Sequence, residues 1–502
     1  MNPQTTGDSV DLRLVPAAVA AWIGAAVTVL WPGPSTVPIA VVATGLVLLL
    51  VAARGGPARR RRTRPSPLPA TALALLVLLG TLAAGAALRN ERARGPLVEA
   101  VTGSWTARLR GTVTDDPVPL AASWNGSAPR VRYTLAVDTL EARGRVRAAH
   151  GRVVVLGGGD PPTLGATVIV AGRLQPSASR TDPAVGVLVA NGGPTTVRGA
   201  AGAQRWVGAV RAAARDVVAQ VPGDAGGLLL GVALGDTSRI DRALSDAFAV
   251  AGLTHLVAVS GAHFAIIGAL VAATAAACRL PRPARAGVVL LADLLLVALV
   301  GPQPSVLRAA VMGTVSLVGL LAGRPARAPA ALAASVVVLL VTDPWLSVQL
   351  GFALSVAATA SIVLLAGVWT QRWAPWLGRG MAAGLAVPLA AQLACGPVLL
   401  AVRPQVGAYA LLANVLVAPA VGPATVFGVA AALLAPLWPG GALVLAHVGG
   451  AACWWIAVVG RAVAGLPGAA VGWAAGALGI AALAATSVAV AALLLRTGRR
   501  VT

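Results

Sequence analysis

Lysine is absent from the 502 residues, and charge of either sign is scarce: 39 basic residues, every one arginine, and 17 acidic ones make up 11% of the chain. A soluble domain carries roughly a quarter charged residues, so this composition excludes an ordinary soluble protein. Without lysine there is no P-loop, whose lysine reaches the nucleotide phosphates, and no Schiff-base chemistry. The same absence reads as a coding bias, so arginine at any single site says little. Cysteine is rare too. Cys278, Cys395 and Cys453 lie in apolar stretches with no close Cys or His partner, which excludes a disulfide framework and gives no metal site. The four histidines, at 150, 255, 263 and 447, form no H-x-H-x-D-H cluster.

What remains is apolar. Hydrophobic residues make up 57% of the chain, the mean hydropathy is +0.81, and runs such as Val15 to Trp31, Pro69 to Leu88 and Gly468 to Leu495 are near or above the ~20 residues that cross hydrocarbon as a helix. The first run follows Asp8 and Asp11 rather than a basic segment, which reads as a retained anchor. Three spans (15–31, 37–53, 68–88) precede a polar region, and nine follow it near 253–277, 286–300, 305–322, 329–342, 346–367, 381–402, 421–436, 442–464 and 469–495, about twelve in all. Arg54 and Arg59 to Arg62 with Arg64 place the first loop in the cytoplasm. Arg279, Arg282 and Arg285, then Arg324 and Arg327, Arg372 and Arg379, and Arg496, Arg499 and Arg500 fall on the same side. Both termini are then cytoplasmic and the polar region extracytoplasmic. The stretch 404–436 fits least well, because Pro404, Pro419, Pro423 and Pro436 make a half-helix as good a reading as a full span.

Between about Gly103 and Gly199 period-two alternation replaces the apolar runs, with candidate strands at Ala107–Thr114, Val131–Leu140, Arg145–Leu156, Thr167–Leu174 and Val185–Ala190. Five short strands in about a hundred residues suit a small, partly open barrel of the OB type. Eleven arginines against six acids, with Trp105, Trp124 and Tyr133 interspersed, supply phosphate-neutralising charge and stacking faces for single-stranded nucleic acid. Solvated surface charge and core aromatics explain the same counts. Arg108, Arg110, Arg130 and Arg132 with Trp124 and Tyr133 are the candidate contacts. Gln204–Val221 and Ser238–Val250 then read as amphipathic helices along the outer membrane surface. The expected organisation is a helical region over 1–100, a β domain over 101–202, interfacial helices over 203–251 and a channel-like helical domain over 252–502.

Four segments put polar groups where hydrocarbon makes them costly. Gly252-Leu253-Thr254-His255-Leu256-Val257-Ala258-Val259-Ser260-Gly261-Ala262-His263 sets two histidines and a serine at the mouth of a span. Ser260 and His263 share a helix face, which admits a Ser/His nucleophile as well as a helix-packing patch, but no third member is evident. Arg308 follows the break at Gly301-Pro302-Gln303-Pro304. It either snorkels outwards or fixes a positive charge beside an aqueous path, paired with Asp293. Gln349 and Ser355 lie within the span after Asp343-Pro344, and Gln392 and Asn414 within Pro-broken helices that only protein or water can satisfy at that depth.

The order of these segments resembles the ComEC family of competence proteins over roughly residues 70–480. The likeness lies in Gly227-Leu228-Leu229-Leu230-Gly231 with Gly235-Asp236, then Gly252 to His263, which looks like the family's G-L-x-H-L-x-A-x-S-G-x-H signature. It continues through Val306-Leu307-Arg308-Ala309, Asp343-Pro344 to Ser355, and Asn414 with Pro419. The resemblance implies a channel carrying single-stranded DNA across the cytoplasmic membrane in natural transformation, past His255, Ser260, Gly261, His263, Arg308, Gln349, Ser355, Gln392 and Asn414. It implies no cofactor and no catalytic residue, membrane lipid around the bundle, a cytoplasmic ATPase, helicase or DNA-binding protein as motor, a separate nuclease, and either a monomer or a homodimer. Two departures stand out: the C-terminal metallo-β-lactamase-like domain of many members has no counterpart up to Thr502, so the chain is not expected to be a nuclease. The Asn-Pro-Gly and Phe-Asp-Tyr motif is degenerate near Arg180-Thr181-Asp182-Pro183. A secondary transporter of a small anion also uses broken helices and buried arginine, but no inverted repeat is apparent.

Overall fold

The computed structural model describes residues 12–31, 33, 39–40, 42–43, 68–92, 94–120, 130–177, 181–257, 259–301, 303–321 and 328–496. The expected second span, the arginines from Arg54 to Arg64, and Trp124, Arg180, Arg324, Arg327, Arg499 and Arg500 lie outside or partly outside these residues.

Helices α1 (Val15–Leu30) and α2 (Leu68–Arg92) pack through small residues: a Cβ on Gly85 would meet the Thr28 side chain at 2.6 Å. Apolar helices in lipid gain from such close approach, since no hydrophobic force separates one apolar face from another. A short helix α3 (Pro96–Thr102) leads into strands β1 (Thr106–Val113), β2 (Val118–Pro119), β3 (Val131–Ala142), β4 (Arg145–Gly157), β5 (Thr167–Pro176), β6 (Gly186–Ala190) and β7 (Thr195–Arg198). The five expected strands are therefore found, and β2 and β7 are additional. Neighbouring strands run β1-β3-β4-β6-β5, and β5 pairs back onto β1, which closes the ring into a small barrel with β4 and β6 parallel. Strict alternation fills it: Leu109, Leu135, Val153, Val168 and Leu188 are buried inside, with α3 covering one end through Leu97 and Ala100.

After the barrel come α4 (Gly202–Val218), α5 (Asp224–Leu234), α6 (Arg242–Ala251), α7 (Gly261–Ala277), α8 (Arg282–Val300), α9 (Pro304–Leu321), α10 (Ala328–Thr342), α11 (Leu350–Ser361), α12 (Gly367–Leu400), α13 (Ala410–Leu434), α14 (Pro439–Ala464) and α15 (Gly476–Arg496). The expectation of interfacial helices throughout 203–251 needs correction at α5, where every residue from Ala225 to Leu234 is buried against α13 and α14. A helix apolar on all sides belongs in a core. The 404–436 stretch is also resolved against the half-helix reading: Pro419 and Pro423 lie inside one continuous α13. The separate spans expected at 346–367 and 381–402 are joined from Leu350 to Leu400, with a kink at Gly378 (φ 76°). Among the described residues six helices are long and apolar enough to cross a membrane, and five shorter apolar ones accompany them. The protein is thus a multi-pass membrane protein with an inserted β domain.

Two contacts tie barrel to bundle. Arg92 at the end of α2 donates to the Asp182 and Pro183 carbonyls while its guanidinium lies 4.1 Å from the Trp345 ring centre, and Arg211 of α4 pairs with Asp116.

Candidate functional site

The Gly252 to His263 segment is shaped by its glycines and its cap. Gly252 takes φ +71° to end α6, and a Cβ there would lie 2.6 Å from the Ala410 Cβ, so this turn sits directly on the start of α13. Asn414, one turn into α13, donates to the Gly252 carbonyl at 3.4 Å and to its own Ala410 carbonyl at 2.8 Å. His255 follows in a single 3-10 turn and is exposed at the surface.

Ser260 then caps α7 in a reciprocal box with His263, which is 1% exposed. The His263 Nδ1 accepts the Ser260 backbone N–H at 3.0 Å, which puts the ring proton on Nε2, buried and without a hydrogen-bond partner among the described residues. The Ser260 hydroxyl lies 3.1 Å from Nδ1, but the lone pair it would need as a base is already engaged. That removes the physical basis for a Ser/His nucleophile and leaves a helix cap with polar side chains at an apolar helix's start.

Arg308, 4% exposed on α9, faces this cap: its Nη2 is 3.4 Å from where a Gly261 Cβ would stand. Its Nε donates to the Ser355 hydroxyl on α11 at 2.8 Å and its Nη1 contacts the Met312 sulfur at 3.2 Å. The expected pairing with Asp293 is not formed. Asp293 instead lies against Gly313, where a Cβ would be 2.9 Å from its Oδ2, and no ion pair joins Arg308 to any carboxylate among the described residues. Ser305 donates to the Val259 carbonyl at 3.0 Å, and Gly235 (φ +70°) lies close to Gln303, which brings the loop after α5 to the same place. There Asp236 is held ionised: burial pushes its carboxyl up, but the Ser238 hydroxyl and backbone N–H together with Arg215, at 2.6 Å, bring it below the usual range.

Of the nine expected pathway residues, Ser260, Gly261, His263, Arg308 and Ser355 are thus brought together. His255 and Asn414 share the neighbouring Gly252 turn. Gln349 is half-buried at the start of α11, in a segment held to α1 by the bond from the Trp22 indole to the Ser347 carbonyl. Gln392 is half-buried on α12 and makes no hydrogen bond to the cluster.

On the barrel the outcome is less coherent. Tyr133 is 1% exposed in the core, where burial pushes its hydroxyl up to about 12, so it offers no stacking face. Arg108, Arg110, Arg130 and Arg132 all point outwards but do not form one patch. Arg110 is opposite Thr139, whereas Arg132 lies seven residues further along β3, roughly 24 Å away. Arg108 is also engaged by Glu141 at 3.6 Å. Sequence reasoning passed over a different grouping at the β3–β4 hairpin, where Arg143 lies 3.8 Å over the Trp105 ring centre.

The family model described as Competence protein matches residues 232–499, a little over half of the chain and the part that contains the cluster. The ComE operon protein 3 of Bacillus subtilis (strain 168) is 31% identical over 199 residues, which cover 40% of this chain and 25% of that protein. The chain therefore spans about a quarter of that relative's length. No solved structure matches.

Proposed function

With more than half of its length matched by that model, the chain belongs to the competence protein family, and on this premise we propose that it is the passage through which single-stranded DNA enters the cell. The observation that carries the reading is Arg308: a buried cation with no carboxylate partner among the described residues, facing the capped start of an apolar helix. Such a charge is costly in hydrocarbon and is retained where it meets water or a passing anion. The exposed His255, the half-buried Ser260 and Ser355 and the buried His263 supply hydrogen-bonding groups along the route. The strand order β1-β3-β4-β6-β5-β1 supports an OB-type barrel, a fold suited to holding single strands, and the arginine-rich loops of the sequence favour the extracytoplasmic side for it. Since this sequence contains no lysine and hence no P-loop, the pull falls to a cytoplasmic ATPase, helicase or DNA-binding protein, and strand degradation to a nuclease.

Uptake tests it. A competent host is given labelled duplex DNA in wild-type, deletion and Arg308→Ala strains. Deletion should abolish entry of label into the cytoplasm while surface-bound DNA remains, and Arg308→Ala should lower entry at least tenfold. Equal entry without the protein rejects the reading, and screening of small anions then takes its place.

A further inference from the structure

The β3–β4 hairpin carries chemistry that the bundle does not use. Its loop is the two-residue turn Arg143-Gly144, both at positive φ (51° and 72°), between the paired Ala142 and Arg145. A two-residue turn with both φ positive favours Asn-Gly or Gly-Gly, since a Cβ is strained there. Arginine at the first position is thus locally unfavourable, and its guanidinium closes down on the Trp105 indole at 3.8 Å.

The strand that follows breaks a second rule. Cross-strand partners share a face, and Arg147 is paired with Leu140 and Arg145 with Ala142, both of which are buried. Arg145 and Arg147 therefore take positions that alternation assigns to the core face, where a small barrel normally places apolar side chains, yet both remain exposed. They do so at the barrel's mouth, over α3, where Arg147 meets Glu99 at 3.6 Å. Between them lies a recess of about 330 Å³ lined by Trp105, Leu140, Glu99 and the three arginines. Its lining combines apolar and aromatic side chains with three arginines and one carboxylate, Glu99, and its volume is that of a small-molecule pocket.

We propose that this recess is a nucleotide-binding subsite for single-stranded DNA, in which one base stacks on the Trp105–Arg143 pile while Arg145 and Arg147 take adjacent phosphates. It rests on the DNA-uptake reading above. Aromatic and guanidinium planes both serve as platforms for unpaired bases. Arg145 and Arg147 are two residues apart on one face, about 7 Å, which suits successive phosphates of an extended strand. The site commits the barrel to bases as well as charge, and it lies at the hairpin end rather than along the Arg130–Arg132 wall.

The full-length protein in lipid nanodiscs is titrated with a fluorescein-labelled oligo-dT and with an abasic strand of the same length. Wild type should bind oligo-dT about tenfold more tightly than the abasic strand. Arg143→Asn preserves the turn, because asparagine suits its φ, and should reduce the ratio of oligo-dT to abasic affinity to about one, while the lost charge weakens binding to both strands alike. The Arg145→Gln, Arg147→Gln double variant should flatten the salt dependence by about 1.4 in slope, the value for two phosphates of a single strand. If Arg143→Asn keeps the preference, or wild type binds both strands equally, the recess is not a base site although the uptake reading stands. If wild type binds neither strand, the recess and the barrel's role as strand holder both fall.

Discussion

Barrel and bundle solve opposite solvent problems with the same few residue types. In the barrel, Arg108, Arg110 and Arg132 face out and Leu109, Leu135 and Tyr133 face in, which is the arrangement water imposes. In the bundle the exposed surface is apolar, with Leu478 88% exposed on α15 and Val488 and Leu493 exposed further along the same helix, whereas Arg308, His263, Asp293, Ser335 and Thr425 are buried. Exposed leucine is ordinary where lipid is the solvent. Each region is informative where it breaks its own rule: exposed arginines at core-face positions of the barrel mouth, and inside the bundle an arginine with no carboxylate partner among the described residues.

The comparison is broken most severely at Arg308. A buried cation that only braces the fold would resist replacement, whereas removing the whole charge for an apolar side chain of similar volume is often neutral or stabilising. Arg308→Met should therefore leave thermal stability in detergent unchanged or raised while DNA entry falls by about two orders of magnitude. A loss of about 3–5 kcal/mol in the same variant would make Arg308 structural. Gly252→Ala comes next and tests backbone rather than charge. The left-handed φ and the Ala410 Cβ at 2.6 Å should together cost about 2–4 kcal/mol, read as an earlier denaturation midpoint, with Asn414 and His255 displaced as a consequence.

The two regions were also unequally legible. One solvated face gives a strand its period-two signature, so the five barrel strands could be read within a few residues of their ends. Alternation also held an unused signal: Arg130 and Arg132 alternate with Val131 and Tyr133, which puts the tyrosine on the face opposite the arginines and hence in the core. In the bundle, α5 has no polar face and so leaves no periodic signal, and prolines that would end a soluble helix lie inside α13, as prolines in membrane-embedded helices can. The polar cluster could be named residue by residue but not assembled. Nothing local in Arg308 specifies that Ser355 rather than Asp293 will meet it, since that follows from how α9 is packed between its neighbours.

Tyr133 gives the smallest effect and the cleanest test that the barrel obeys the rule of water. Its hydroxyl is buried and has no hydrogen-bond partner among the described residues, and an unsatisfied buried hydroxyl costs about 1–3 kcal/mol. Tyr133→Phe should thus stabilise the barrel by roughly 1 kcal/mol, part of the gain being offset by imperfect repacking. The pH dependence fixes the sign independently. Burial pushes the phenol from 10.0 up to about 12, so between those values the unfolded chain has lost a proton that the folded chain retains. Stability is then complete below pH 10 and declines as pH rises towards 12. Alkaline unfolding followed by the tyrosinate absorbance should show that decline in the wild type and a shallower one in Tyr133→Phe. Identical profiles would mean that water reaches the hydroxyl, and the contrast between a dry barrel core and a polar bundle core would lose its barrel half.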